Sequence, residues 1–78
     1  MIRAFECTND HHNKFWTVEI IETDDDKLLY NFIVKTTYGK IGTKSQESYK
    51  TYWTKEEAYR EASRLVKSKK KKGYIENR

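Results

Sequence analysis

The side chains best suited to a phosphate-sugar ligand lie in Tyr38-Gly39-Lys40-Ile41-Gly42. An aromatic ring can stack on a sugar or a base, and an ammonium group neutralises a phosphate. Two glycines two residues apart mark backbone that must turn, or that another group approaches closely. The same stretch also reads as a plain turn that carries a Tyr and a Lys. Lys44 adds a cation just beyond it. A second basic group stands near the C-terminus, where Lys67, Lys69, Lys70, Lys71 and Lys72 crowd six positions. Lysines at a helix C-terminus complement the negative end of the helix dipole, but five exceed what that role requires.

Other residue types with chemical potential lack the partners they would need. His11 and His12 are adjacent, so they point apart, and neither a Cys nor a third His stands at ligand spacing. Asp24, Asp25 and Asp26 lack the alternating oxygen ligands and the closing Glu of a calcium loop, so they read as a solvated turn. No metal and no cofactor are expected. Cys7 is the single cysteine, which precludes an intrachain disulfide and fits a reducing compartment. It reads as a small buried hydrophobe rather than a nucleophile. The sequence has no Ser/His/Asp set that strand register would assemble, no P-loop and no dinucleotide fingerprint, so the expectation is a protein that is not an enzyme. No apolar run approaches the roughly 18 residues that span a bilayer, and no signal-peptide core is present. A cytoplasmic protein is expected.

Charge is distributed unevenly along the 78 residues. Residues 1–30 carry three basic against seven acidic side chains, and residues 31–78 carry 13 basic against five acidic. The halves are thus −4 and +8, which points to a basic face turned toward an anionic partner, most commonly nucleic acid. A chain this short forms one domain with a modest core, and three Phe, six Tyr and two Trp must supply much of it.

The elements that must position these residues follow from periodicity. Residues 2–8 read as a short strand with Phe5 and Cys7 inward. Lys14 to Glu22 is a clear strand, with Trp16, Val18 and Ile20 on one face and Phe15 and Ile21 on the other. Residues 23–27 form a polar hairpin connection. Leu28 to Tyr38 is the strongest strand, with Leu28, Tyr30, Phe32 and Val34 on one face; its period sets Tyr38 toward the core unless the glycines re-aim it. Thr43 to Trp53 is a polar strand with Tyr49, Thr51 and Trp53 on one side, an edge or a strand with one wet face. Thr54-Lys55-Glu56-Glu57 is a capping box that opens a helix running to about Lys69. Its apolar stripe is Ala58, Ala62, Leu65 and Val66, with Tyr59, while Arg60, Glu61, Arg64 and Lys67 face water. Gly73 stops the helix in the left-handed conformation, and Tyr74-Ile75 returns to the sheet. The fold class is α+β: a small antiparallel sheet of about four strands with one amphipathic helix packed on it.

From about Asn13 to Glu76 this order resembles the WGR domain family, found in small bacterial proteins and in DNA-dependent poly(ADP-ribose) polymerases. Asn13-Lys14-Phe15-Trp16 resembles the family's opening strand. Tyr38-Gly39-Lys40-Ile41-Gly42 sits at the Trp-Gly-Arg signature, and Gln46 stands where the family has a glutamine. Trp53-Thr54-Lys55-Glu56-Glu57-Ala58 resembles the helix start, and Lys71-Lys72-Gly73-Tyr74 the closing element. The chain departs from the pattern at Tyr38 for tryptophan, Lys40 for arginine and Ser45 for a common glycine. Tyrosine still stacks, with less area, and lysine keeps the charge without the bidentate fork.

The resemblance implies a single WGR-like domain over residues 1–78 that binds nucleic acid without catalysis. DNA strand ends or single strands are the expected partners. Tyr38 would stack; Gly39, Lys40, Lys44, Gln46, Lys67, Lys69, Lys70, Lys71 and Lys72 would complete the contact set. The alternative is a protein–protein interaction module that uses the aromatic sheet face or the edge strand, as a monomer or weak dimer. No membrane partner is expected.

Overall fold

Alternating β-branched and aromatic residues build a sheet, and the alternation decides which side of each strand is buried. The computed structural model describes residues 1–9, 13–23 and 31–77. Strands β1 (Ile2–Thr8), β2 (Asn13–Glu22), β3 (Phe32–Lys40), β4 (Gln46–Tyr52) and β5 (Ile75–Glu76) form one sheet in the order β4-β3-β2-β1-β5. All neighbouring strands are antiparallel. One helix, α1 (Lys55–Lys71), packs against β2, β3 and β4. The class is α+β, as the sequence pattern implies. The tail beyond Gly73 adds the fifth strand, pairing Glu76 with Phe5 and Ile75 with Glu6.

The core lies between α1 and one face of the sheet. Phe5, Trp16, Val18, Ile20 and Val34 are buried there beneath Ala58, Ala62 and Val66 of the helix. Both alanines are short enough to let α1 approach the sheet closely. Phe5 and Trp16 are cross-strand partners and pack as a tilted pair, centroids 5.5 Å apart. Cys7 is buried as expected. A bidentate ion pair from Arg3 to Glu76, at 2.6 and 2.7 Å, ties β5 to β1. No described element covers the opposite face of the sheet, and Ile75 on that side is 74% exposed. Among the described residues, no helix is long and apolar enough to cross a membrane.

Local rules account for the ends of α1. The Thr54 hydroxyl accepts the Glu57 backbone N–H at 3.2 Å, the first half of a capping box. The return half differs from expectation: the Glu57 carboxylate accepts from the Thr54 hydroxyl at 3.0 Å, among the described residues, rather than from backbone. At the other end, Gly73 (φ +95) donates to the Lys70 carbonyl and Tyr74 donates to the Lys69 carbonyl, which is a Schellman closure. Helical bonding continues through the lysines until that glycine, so α1 ends two residues later than periodicity suggests.

Several expectations are corrected. Gly39 does not interrupt the strand; it pairs with Phe15 inside β3. Only Gly42, at φ +86, turns the chain, with the Lys40 carbonyl accepting the Thr43 N–H at 3.1 Å. Residues 43–45 belong to that turn, and β4 starts at Gln46. Glu61 does not face water: its side chain is only 15% exposed, drawn in by Tyr52 and Arg64. Tyr59 is exposed, with the Lys55 ammonium above its ring, and takes no part in the core. The histidine pair, the aspartate triplet and the expected strand start at Leu28 to Tyr30 lie outside the described residues.

Candidate nucleic-acid interface

The antiparallel register of β2 and β3 sets Lys14 opposite Lys40 and Trp16 opposite Tyr38. Strand period places all four on the side that carries the helix. The last turn of α1 then brings Lys69 over the same end of the sheet. Its ammonium lies 5.7 Å from the Trp16 ring centroid and 5.3 Å from that of Tyr74. Lys14, Lys69 and Lys72, with Cys7 and Tyr74, line a cavity of about 330 Å³. Lys69 also borders a neighbouring groove of about 250 Å³ whose wall includes Trp16, Thr36, Tyr38 and Leu65. One lysine thus joins a cationic cup to an aromatic groove.

No described carboxylate neutralises the lysines of this cluster. Among the described residues, ion pairs occupy Arg3 with Glu76, Lys35 with Glu47, and both Lys50 and Arg64 with Glu61. None engages Lys14, Lys40, Lys69 or Lys72. Burial, with the charges of Lys72 and Lys14 adding to it, lowers the Lys69 ammonium from its ordinary range. The charged form is therefore disfavoured where it stands, and an arriving anion would relieve that cost. The faces of Trp16 and Tyr74 supply part of the compensation meanwhile.

A second polar network, nearer the start of α1, has internal partners. The Tyr52 hydroxyl donates to Glu61 at 3.0 Å, and Arg64 Nε donates to the other carboxylate oxygen at 2.6 Å. Burial alone would raise the Glu61 carboxyl; the bonds from Tyr52 and Arg64 outweigh it and hold the group below the usual range. Tyr52 is pushed up, by burial first and then by its bond to Glu61.

The residues singled out from sequence divide into two sets. Tyr38 keeps the helix-facing side that strand period assigns, yet it is 38% exposed rather than buried. The helix presents Leu65 and then Lys69 to this part of the sheet, and a long lysine leaves the ring partly open. Gln46 pairs with Tyr38 across β3 and β4 and is exposed. Lys40 opens the turn, and Lys44 is exposed within it. Gly39 lies in nearly extended backbone against Phe15 and the Lys44 carbonyl, away from the cluster. Helical period sends Lys67 and Lys71 to the side of α1 opposite Ala58, Ala62 and Val66, with Lys70 on the flank. The fold thus brings together Tyr38, Lys40, Gln46, Lys69 and Lys72, sets Lys44 and Lys70 at the margin, and leaves Gly39, Lys67 and Lys71 apart. Sequence reasoning missed Lys14, Trp16 and Tyr74 as neighbours of this cluster. Lys14 shares the alternation of Trp16 and Val18, a usable signal that the acidic character of the N-terminal half concealed.

A single sheet under one helix, with an aromatic and lysine cluster at one end, defines a small α+β domain. The match to the WGR domain family extends over residues 1–78, and the chain belongs to that family, whose members often bind nucleic acid. It is 32% identical over 77 residues to the uncharacterized protein YfeS of Escherichia coli (strain K12), covering 99% of this chain and 28% of that protein. A crystal structure of a protein from Bacteroides fragilis is similar at a TM-score of 0.82 and 32% identity, over 100% of this chain and 20% of that one. The chain therefore spans less than a third of the length of these relatives.

Proposed function

We propose that this chain is a non-enzymatic DNA-binding module that grips the sugar-phosphate backbone of strand ends or single strands. Lys14, Lys40, Lys69 and Lys72 neutralise phosphates, and Tyr38 stacks on a sugar or base beside them. The observation that carries this reading is convergence without counter-charge. Three lysines from two elements line one cavity, a fourth sits opposite Lys14, and no described carboxylate pairs with any of them. The partly exposed Tyr38 ring at the adjoining groove adds a stacking surface. Lys44 and Gln46 flank the same end of the sheet, and Lys67, Lys70 and Lys71 contribute long-range field only.

The test is titration of fluorescently labelled single-stranded and duplex DNA at low salt. Binding in the micromolar range or tighter is expected, and Tyr38→Ala combined with Lys40→Gln should remove most of it. Absence of binding at low salt by a folded protein would refute the assignment.

A protein-interaction role has one observation in its favour: the sheet face away from α1 has no described cover, and Tyr49, Trp53 and Ile75 are well exposed. Capture of partners from lysate, with and without nuclease, separates the two. Partners that persist after nuclease treatment favour the protein reading.

A further inference from the structure

We infer that the groove between α1 and strands β3 and β4 receives one unpaired base of a single-stranded DNA segment; this rests on the nucleic-acid reading above. Size is the first argument. At about 250 Å³ the groove is smaller than the roughly 300–1,000 Å³ of sites for drug-sized ligands, so it suits one ring system and not a whole dinucleotide. Lining is the second. Trp16 and Val34, both almost fully buried, form an apolar floor with Leu65. Thr36 and Ser48 are cross-strand partners on β3 and β4, and both line the groove. Their hydroxyls make no hydrogen bond among the described residues. A hydroxyl both donates and accepts, so this wall can serve the edge of any base without selecting one.

Charge is the third argument. Lys50 from β4 and Lys69 from α1 line the groove, and no carboxylate among the described residues does. Lys50 has its partner in Glu61 at 3.6 Å, whereas Lys69 has none among the described residues. A strand that lays a phosphate against Lys69 and the Lys14 and Lys72 cup brings its neighbouring base to the rim at Tyr38. Single-stranded DNA is selected because a duplex must first unstack and unpair the base, a cost that is least when the strand is already open.

The test compares a labelled twelve-residue oligothymidylate with a strand of equal length and phosphate number in which abasic sites replace the bases. The full chain is used at low salt. Base insertion predicts about tenfold tighter binding of the oligothymidylate, as stacking of a single base supplies. Ser48→Phe, which fills the groove from an exposed strand position and replaces no lysine, should remove the advantage of the oligothymidylate over the abasic strand. Equal binding of the two strands by the wild-type chain overturns the inference and leaves phosphate gripping intact. Retention of the full base advantage by folded Ser48→Phe overturns it as well. Failure of both strands to bind removes the nucleic-acid reading, and the inference with it. The wild-type comparison needs no variant, so a folding defect in Ser48→Phe leaves the test decisive.

Discussion

Replacing Lys69 and Lys72 together by glutamine removes two of the four cations clustered at one end of the sheet, while Lys67 and Lys71 remain on the far side of α1. Each phosphate neutralised on a single strand adds about −0.7 to the slope of log affinity against log salt. Four contacts therefore give a slope of about −2.8, so affinity falls about 50-fold between roughly 50 and 200 mM salt. The double variant retains Lys14 and Lys40, and its slope should shrink to about −1.4, a fall of about sevenfold over the same range. Lys67→Gln with Lys71→Gln removes the same formal charge from the outer side of the helix and should leave the slope near the wild-type value. Fluorescence anisotropy at four or five salt concentrations measures all three slopes, with circular dichroism confirming that each variant is folded. Equal slope changes in the inner and outer pairs would show that net charge, not the cluster, governs binding, and the assignment of Lys69 and Lys72 would fail.

Three further outcomes test the fold and its electrostatics. Thr54→Ala removes the hydroxyl that caps α1 and should cost about 1 kcal/mol, lowering the melting temperature by about 4–8 °C in a domain of this size. Phe5→Ala empties a fully buried position against Trp16 and should cost about 3–5 kcal/mol; against a total of about 4–12 kcal/mol for a chain of this length, urea unfolding should find at least about a quarter of the stability lost. Glu61 has a carboxyl held below its ordinary range, so its stabilising bonds are fully present above the unfolded carboxylate pKa and are lost as pH falls through the lower folded value. Glu61→Gln should therefore show a shallower loss of stability on the acid side in pH-dependent melting; an unchanged acid limb would refute the role of the Tyr52 and Arg64 bonds.

Where the chemistry was local, the residues spoke for themselves. Trp16, Val18 and Ile20 alternate, so one face of β2 is apolar whatever it pairs with. Thr54 and Glu57 lie one helical turn apart, close enough to bond each other. Gly73 accepts a positive φ without steric cost, so the helix stops there. The α+β class and the ends of α1 follow from such short-range rules.

Tertiary structure decided what these rules cannot reach. Lys14 and Lys40 are 26 positions apart, and only the register of β2 and β3 makes them neighbours. Of the five lysines near the C-terminus, periodicity on a helix docked by Ala58, Ala62 and Val66 turns Lys69 and Lys72 toward the sheet and sends Lys67 and Lys71 away. Tyr38 has the strand phase of a core residue, yet stays partly open because the helix covers that end with a lysine rather than an apolar side chain. Alternation along a strand determines which side a residue takes; what lies above that side depends on where the helix crosses, and helix placement is settled by packing between residues distant in the chain.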